Sequence, residues 1–324
     1  MTERFALIHN PRSRRNGKDD GTFRNSAARL LGPLFVRPSG REHVLDAVAE
    51  LARREVRTIA IDGGDGTVSE VMSAIYRHYP ADALPALAVL PSGNTNLIAS
   101  DVGFGLRGMA ALDRLGALAR DDGLRRATVR REVLAVRWSD PDRPAALGMF
   151  HGAAAFTRGV GIAHRPAIDR FSHDIAVGVA IASSIGRLAF RSTRRKWLGG
   201  NRITLAVGNE AARTQDCFLF LATTLHCLPR RMWPFAPRTA AEGMSYLNVA
   251  AFPPRLAAAT WSLLRGRSPD WLDDCPAYER GQTDRLALRI GEDFVLDGEI
   301  FDSGPDGQTF LSAGPAFDFI RGTA

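Results

Sequence analysis

The chain has 324 residues, of which 45% are hydrophobic and 24% charged, and a net charge of +7. That length is long for one hydrophobic core and comfortable for two. The ordinary composition, without repeats or low-complexity tracts, excludes a disordered or solenoid protein. The positive charge favours an anionic partner without choosing between nucleic acid, lipid and nucleotide. The opening residues, Met1 to Pro11, hold no long apolar run and do not read as a signal peptide. The longest bland apolar stretch, Ile175 to Gly186, falls short of the roughly 20 residues that a bilayer span needs. A soluble or peripheral cytoplasmic protein is expected. Its three cysteines, Cys217, Cys227 and Cys275, form no CxxC pair and read as reduced, buried thiols.

In chain order, Phe5–Ile8 reads as a strand, followed by a basic polar loop (Asn10 to Lys18) and a helix to about Leu31. Leu34–Val36 is a short strand. Val44, Leu45, Val48 and Leu51 have helical spacing across 41–54. The apolar run Thr58–Ile61 predicts a strand buried on both faces, Thr67 to Tyr79 a helix, and Ala86–Leu90 a strand ended by Pro91. A helix carrying Leu112, Leu115 and Leu118 follows. Alternation of this kind predicts a doubly wound parallel sheet. Beyond about Arg125 the pattern changes. Val129–Trp138 and Leu147–Phe156 read as strands and Pro166–Phe190 as helical. Short strands are then expected at 203–207, 217–223, 245–250, 286–290, 294–296 and 309–312, the spacing of an antiparallel β domain. The expected division is 1–125 for an α/β domain and 126–324 for a β-rich domain, with room for the extreme C-terminus to return to the first.

Three loops carry the chemistry of the first domain. Gly63-Gly64-Asp65-Gly66-Thr67 joins a buried strand to a helix, where glycines admit a ligand close to the backbone and the helix start favours a phosphate. A carboxylate beside phosphates needs a cation between them, so Asp65 points to Mg²⁺. The plainer alternative is a tight turn with Asp65 or Thr67 as a helix cap. Pro91-Ser92-Gly93-Asn94-Thr95-Asn96 and Asn10-Pro11-Arg12-Ser13 also follow strands, and all three loops should meet at one end of the sheet.

Together these motifs resemble the catalytic domain of the diacylglycerol kinase family, which includes sphingosine, ceramide and bacterial lipid kinases. Near the far end, Leu296-Asp297-Gly298-Glu299 also matches the family motif. On pattern alone, Asp-Gly between apolar runs is a hairpin turn. The resemblance implies a two-domain lipid kinase fold, an α/β nucleotide domain plus an antiparallel β-sandwich lipid domain, with the active site in the cleft. It implies ATP and Mg²⁺ as cofactors and a lipid hydroxyl, of ceramide, a sphingoid base or diacylglycerol, as acceptor. Asp297 is then the expected general base. Glu299, with Asp65, is expected to hold Mg²⁺-ATP. Asn10, Pro11, Ser13, Gly63, Gly64, Asp65, Gly66, Thr67, Ser92, Gly93, Asn94 and Thr95 are expected to bind the nucleotide.

The sequence departs from the family in two places. Its second loop reads Gly93-Asn94-Thr95-Asn96-Leu97 where members usually have Gly-Thr-x-Asn-Asp. The region 227–243 lacks the glycine triplet and most of the acids that hold a structural Mg²⁺ in many bacterial members. Basic and aromatic residues cluster at Arg191, Arg194, Arg195, Lys196 and Trp197, and again at Arg230–Phe235. Such clusters suit an anionic membrane surface, here the inner face of a membrane; no nucleic-acid motif accompanies them. Two other readings are carried forward: a soluble NAD kinase, which shares the glycine loop, and a catalytically silent lipid- or nucleotide-binding protein.

Overall fold

A computed structural model describes residues 4–18, 21–121, 123–163, 195, 197–229 and 232–322. The helix expected over Pro166–Phe190 and the residues Arg191, Arg194 and Lys196 lie outside these. The chain forms two compact units, Met1–Glu132 with Pro315–Ala324, and Val133–Gly314. Both crossings occur inside strands rather than in linkers.

In the first unit, strands β1 (Ala6–His9), β2 (Phe35–Val36), β3 (Thr58–Gly63) and β4 (Ala86–Pro91) alternate with helices α1 (Thr22–Leu31), α2 (Arg41–Arg53) and α3 (Asp65–His78). Two further helices follow, α4 (Leu97–Val102) and α5 (Gly108–Arg120). The ladders β1–β2, β1–β3 and β3–β4 are parallel. Every residue of β1 and β3 is buried, as expected of strands covered by helices on both faces. The end of the last strand returns here: Phe319 pairs in parallel with Leu87 of β4. Helix α3 begins at Asp65, two residues before the sequence pattern places it, because the glycine loop itself supplies the first turn.

The second unit holds the remainder of β5 (Thr128–Trp138), then β6 (Ala146–Gly148), β7 (Phe150–Ala154), helix α6 (Ala155–Ala163), β8 (Asn201–Val207), β9 (Arg213–Thr223) and β10 (Met244–Ala250). Next come helices α7 (Leu256–Leu264) and α8 (Asp270–Asp273) and strands β11 (Tyr278–Thr283), β12 (Arg285–Ile290), β13 (Phe294–Leu296), β14 (Glu299–Phe301) and β15 (Gln308–Ile320). Its ladders are antiparallel: β9 pairs with β7, β8 and β10, and β13 pairs with β7 and β14. Leu134, Phe220, Leu288, Phe294 and Leu311 belong to its apolar core.

Several local expectations are corrected. The run Leu147–Phe156 is two strands broken at Met149, and helix α6 starts at Ala155. Strand β15 runs from Gln308 to Ile320, well beyond the expected 309–312, and passes through Gly314 and Pro315. Cys217 is buried, but Cys227 is exposed and Cys275 half-buried, so burial describes only one of the three thiols. In the region lacking the family's glycines and acids, the Arg238 guanidinium donates to the carbonyls of Ala241, Glu242 and Gly243 (3.0, 3.4 and 3.0 Å). A side-chain cation gathers that loop.

Candidate active site

The three loops of the first unit meet at the carboxyl ends of β1, β3 and β4. Asn10 links two of them: its backbone N–H donates to the Asp62 carbonyl (2.9 Å) and its side-chain amide to Thr67 Oγ1 (2.8 Å). Its side-chain oxygen accepts the Arg12 N–H (2.9 Å). Ser92 N–H donates to the Gly63 carbonyl (3.2 Å), and the Arg15 guanidinium reaches the Pro91 carbonyl (3.1 Å). Glycine is required where the loops touch. A Cβ at Gly93 would overlap the Gly64 Cα, and a Cβ at Gly63 would lie 2.6 Å from the Thr67 Cβ. The amides of Asp65, Gly66 and Thr67 precede the first helical bond, Val68 N–H to Gly64 carbonyl, and so have no acceptor within the helix. With Arg12, Arg14 and Arg15 exposed in the adjacent loop, this cradle fits a polyphosphate. Asn94 is exposed at the rim, whereas Ser13 and Ser92 are buried.

Asp65 does not occupy the position its sequence context suggests. One carboxylate oxygen accepts the Ile98 N–H (3.0 Å); the other accepts the Leu97 N–H (3.0 Å) and the Thr95 hydroxyl (2.9 Å). The group is buried. Burial raises its pKa, and the two amides and the hydroxyl oppose that rise. Asp65 therefore caps α4 from a neighbouring loop and holds the Pro91–Asn96 turn in place. Its surroundings do not suit a direct Mg²⁺ ligand, since three donors already point at it. Among the described residues, no group of three His, Cys, Asp or Glu side chains is placed to hold a metal. Glu299 is exposed on β14.

Beneath the loops lies a network that the sequence does not announce. His9 Nδ1 and Asp62 Oδ2 are 2.6 Å apart, and the Ser92 hydroxyl donates to the other Asp62 oxygen. All three side chains are buried. The network joins the ends of β1, β3 and β4 and sets the backbone from which each loop departs. Asn16 adds a further tie, donating to the carbonyls of Asn10 (3.0 Å) and Asp62 (3.2 Å). His9, Asp62, Asn16 and Arg15 were all missed by pattern reading. The basic loop was the one available signal for Arg15.

In the second unit, Asp297 and Gly298 form the two-residue turn of the β13–β14 hairpin, with φ of 48° and 90°. The turn reading and the carboxylate reading coincide at Asp297. Its carboxylate is buried and accepts the backbone N–H groups of Met149 and Phe150, both at 2.9 Å. Its own N–H donates to the Phe150 carbonyl (2.9 Å). Gly148 makes room for this: a Cβ there would overlap Asp297 Oδ2 and lie 2.6 Å from Leu296 Cγ. The Phe150 ring lines an apolar pocket of about 580 Å³, counted with its open mouth, together with Phe156, Leu221, Leu228, Met232 and Leu263. The segment Met232–Phe235, grouped with a membrane surface in the sequence, instead contributes Met232 and Pro234 to this pocket and buries Phe235. His151 is fully buried, stacked on Phe294 at 4.9 Å, and burial lowers its pKa to about 3. It is a packed neutral ring. Of the basic cluster, Arg195 is exposed and Trp197 half-buried, with the Arg158 guanidinium 5.6 Å from its ring.

The site thus comprises a phosphate cradle in the α/β unit and a buried hairpin carboxylate in the antiparallel β unit. Residues 4–124 match the family model of the diacylglycerol kinase catalytic domain, and the resemblance read from the motifs is borne out there. The "Probable lipid kinase YegS-like" of Xanthomonas campestris pv. campestris (strain 8004) is 40% identical over 72 residues. That stretch is 22% of this chain and 21% of the relative, about a fifth of its length. The fold is shared with a crystal structure described as "a putative diacylglycerol kinase from Bacillus anthracis str. Sterne". The TM-score is 0.66 at 13% identity, covering 98% of this chain and 95% of that one. Another diacylglycerol kinase structure from the same organism gives a TM-score of 0.60 at 12% identity, with 98% and 97% coverage.

Proposed function

We propose that this chain is a lipid kinase, transferring the γ-phosphate of ATP to the hydroxyl of a diacylglycerol, a ceramide or a sphingoid base at the inner face of a membrane. The supporting observation is the placement of Asp297. Two amides fix its carboxylate, and one of them belongs to Phe150, whose ring walls an apolar pocket. A proton acceptor thus lies one residue from a place for a hydrocarbon chain. NAD, a polar acceptor, gives no use for such a pocket. The family match over residues 4–124 supports the phosphate-handling half.

In this reading Asn10, Thr67 and the amides at the start of α3 hold phosphate oxygens, while Asp65, Ser92 and Thr95 keep the loops in register. Asp297 accepts the proton of the lipid hydroxyl as its oxygen bonds to the γ-phosphorus and ADP departs. Glu299 would be the protein carboxylate for Mg²⁺, which, bound with the nucleotide, would neutralise phosphate charge. A γ-labelled ATP assay against diacylglycerol, ceramide, sphingosine and NAD tests the proposal and names the acceptor. Labelled lipid is expected; labelled NADP, or no product despite nucleotide binding, defeats it. Asp297→Asn should lower turnover by about 10²–10⁴-fold in a folded protein.

A further inference from the structure

We propose that helix α7 is the element that docks this protein on an anionic lipid bilayer. The nine residues Leu256–Leu264 contain no charged side chain and only two hydroxyls, Thr260 and Ser262. Its inner side is occupied: Ala259 and Leu263 are buried, and Thr260 and Leu263 line the apolar pocket. Its outer side exposes Ala257, Ala258 and Trp261, the last at 60%. A nine-residue helix with an exposed indole opposite a buried face is poorly suited to water alone. Tryptophan settles at bilayer interfaces, where its ring is apolar and its N–H wet.

Charge identifies the occupant of this face. Arg255 precedes the helix, and Arg265 and Arg267 follow it, all exposed. The Arg265 guanidinium sits 3.9 Å from the Trp261 ring centre, which keeps cation and indole together at one depth. No Asp or Glu occurs from Ala251 to Pro269. Beyond that, α8 carries Asp273, engaged by Arg280 and Ser268, and the exposed Asp270 and Asp274. The patch continues backward to Phe252, 55% exposed, whose N–H donates to the Leu198 carbonyl (2.8 Å) beside Trp197. Phe252 and Arg255 both take left-handed backbone (φ 50°), so the approach to the helix is held in a conformation costly for non-glycine residues. Basic ends and an apolar exposed middle, with no acid between Ala251 and Pro269, make an interfacial element for phosphate headgroups. Since the same helix walls the pocket, lipid would enter where the protein rests on the membrane. This last step rests on the lipid kinase reading; the docking does not.

The test is flotation of the full chain with vesicles of phosphatidylcholine containing phosphatidylglycerol, against phosphatidylcholine alone, over a range of salt. Binding to the anionic vesicles that weakens with salt is expected. At about fivefold per arginine, the triple change Arg255→Gln, Arg265→Gln, Arg267→Gln should weaken binding on the order of 100-fold. Trp261→Ala should weaken it further and remove the blue shift of tryptophan emission on vesicle addition. Unchanged thermal melting shows that the variants are folded. Wild-type affinity in both variants overturns the proposal. So does sedimentation showing that the face joins two copies of the chain while vesicles stay unbound. Kinase activity on lipid in detergent micelles separates the two readings. Activity that survives in micelles but falls on vesicles supports docking by α7, whereas vesicle binding without phosphate transfer to any lipid defeats the kinase reading alone.

Discussion

At the scale of single residues, buried polar groups fix how this protein responds to change. His151 has an ordinary pKa near 6.5 when unfolded and about 3 when folded, because burial disfavours the imidazolium. Between pH 6.5 and 3 the unfolded chain binds a proton that the folded chain does not. Stability is therefore fully present above 6.5 and falls with pH through that window, by up to about 1.4 kcal/mol per pH unit. His151→Phe should remove one proton from that slope, measured as the difference between mutant and wild-type urea unfolding across pH 7 to 4. Asp65→Asn leaves one acceptor atom where the Leu97 and Ile98 amides use two. It should cost about 1–3 kcal/mol of stability and weaken nucleotide binding, read by denaturation and calorimetry. The sequence offered Asp65 as a Mg²⁺ neighbour or as a helix cap, and the helix it caps is α4, not the one it begins. The donors that occupy it lie about thirty residues on and become neighbours through parallel strands. His9 and Asp62 are hidden in the same way, at a separation of 53 residues. Asp297 was legible because a turn motif and a family motif fall on one residue.

At the scale of elements, the parallel strands and amphipathic helices of the first unit were legible, since each carries its own period. Helix α7 was not: apolar on most sides, it shows neither the 3.6-residue period nor an acidic start. Strand β11, Tyr278-Glu279-Arg280-Gly281-Gln282-Thr283, lacks apolar alternation, because its side chains serve ion pairs and loop contacts. Glu279 engages Arg213, and Gln282 accepts from Thr239 and Ala240. The two glycine contacts are a test at this scale. Gly93→Ala should force apart the loops before β4's helix and after β3, and Gly148→Ala should push β6 from the β13–β14 turn. Each should cost about 1–3 kcal/mol as overpacking. Gly93→Ala should chiefly raise the Kd for nucleotide and Gly148→Ala chiefly lower turnover, seen by comparing ATP binding with single-turnover transfer.

At the scale of the molecule, the first unit is discontinuous in sequence. Phe317, Phe319 and Ile320 are buried, Arg321 reaches the Asp101 carbonyl, and Arg114 donates to the Gly322 carbonyl (2.9 Å). Three such side chains contribute about 1.5–3 kcal/mol each, against a domain stability of about 5–15 kcal/mol. Removing residues 315–324 should leave the first unit unfolded or barely folded, with lost helical circular dichroism and lost nucleotide binding as the readout. The sequence left room for this return without locating it: the strand expected at 309–312 runs on through Gly314 and Pro315 as β15. The return also imposes an order on biosynthesis. Residues 4–124 emerge from the ribosome long before 315–322 exist, so β4 waits with one edge unpaired while the entire second unit is translated. During that interval the nascent chain exposes an edge that is a ready template for strand pairing, so aggregation is the hazard its synthesis has to pass.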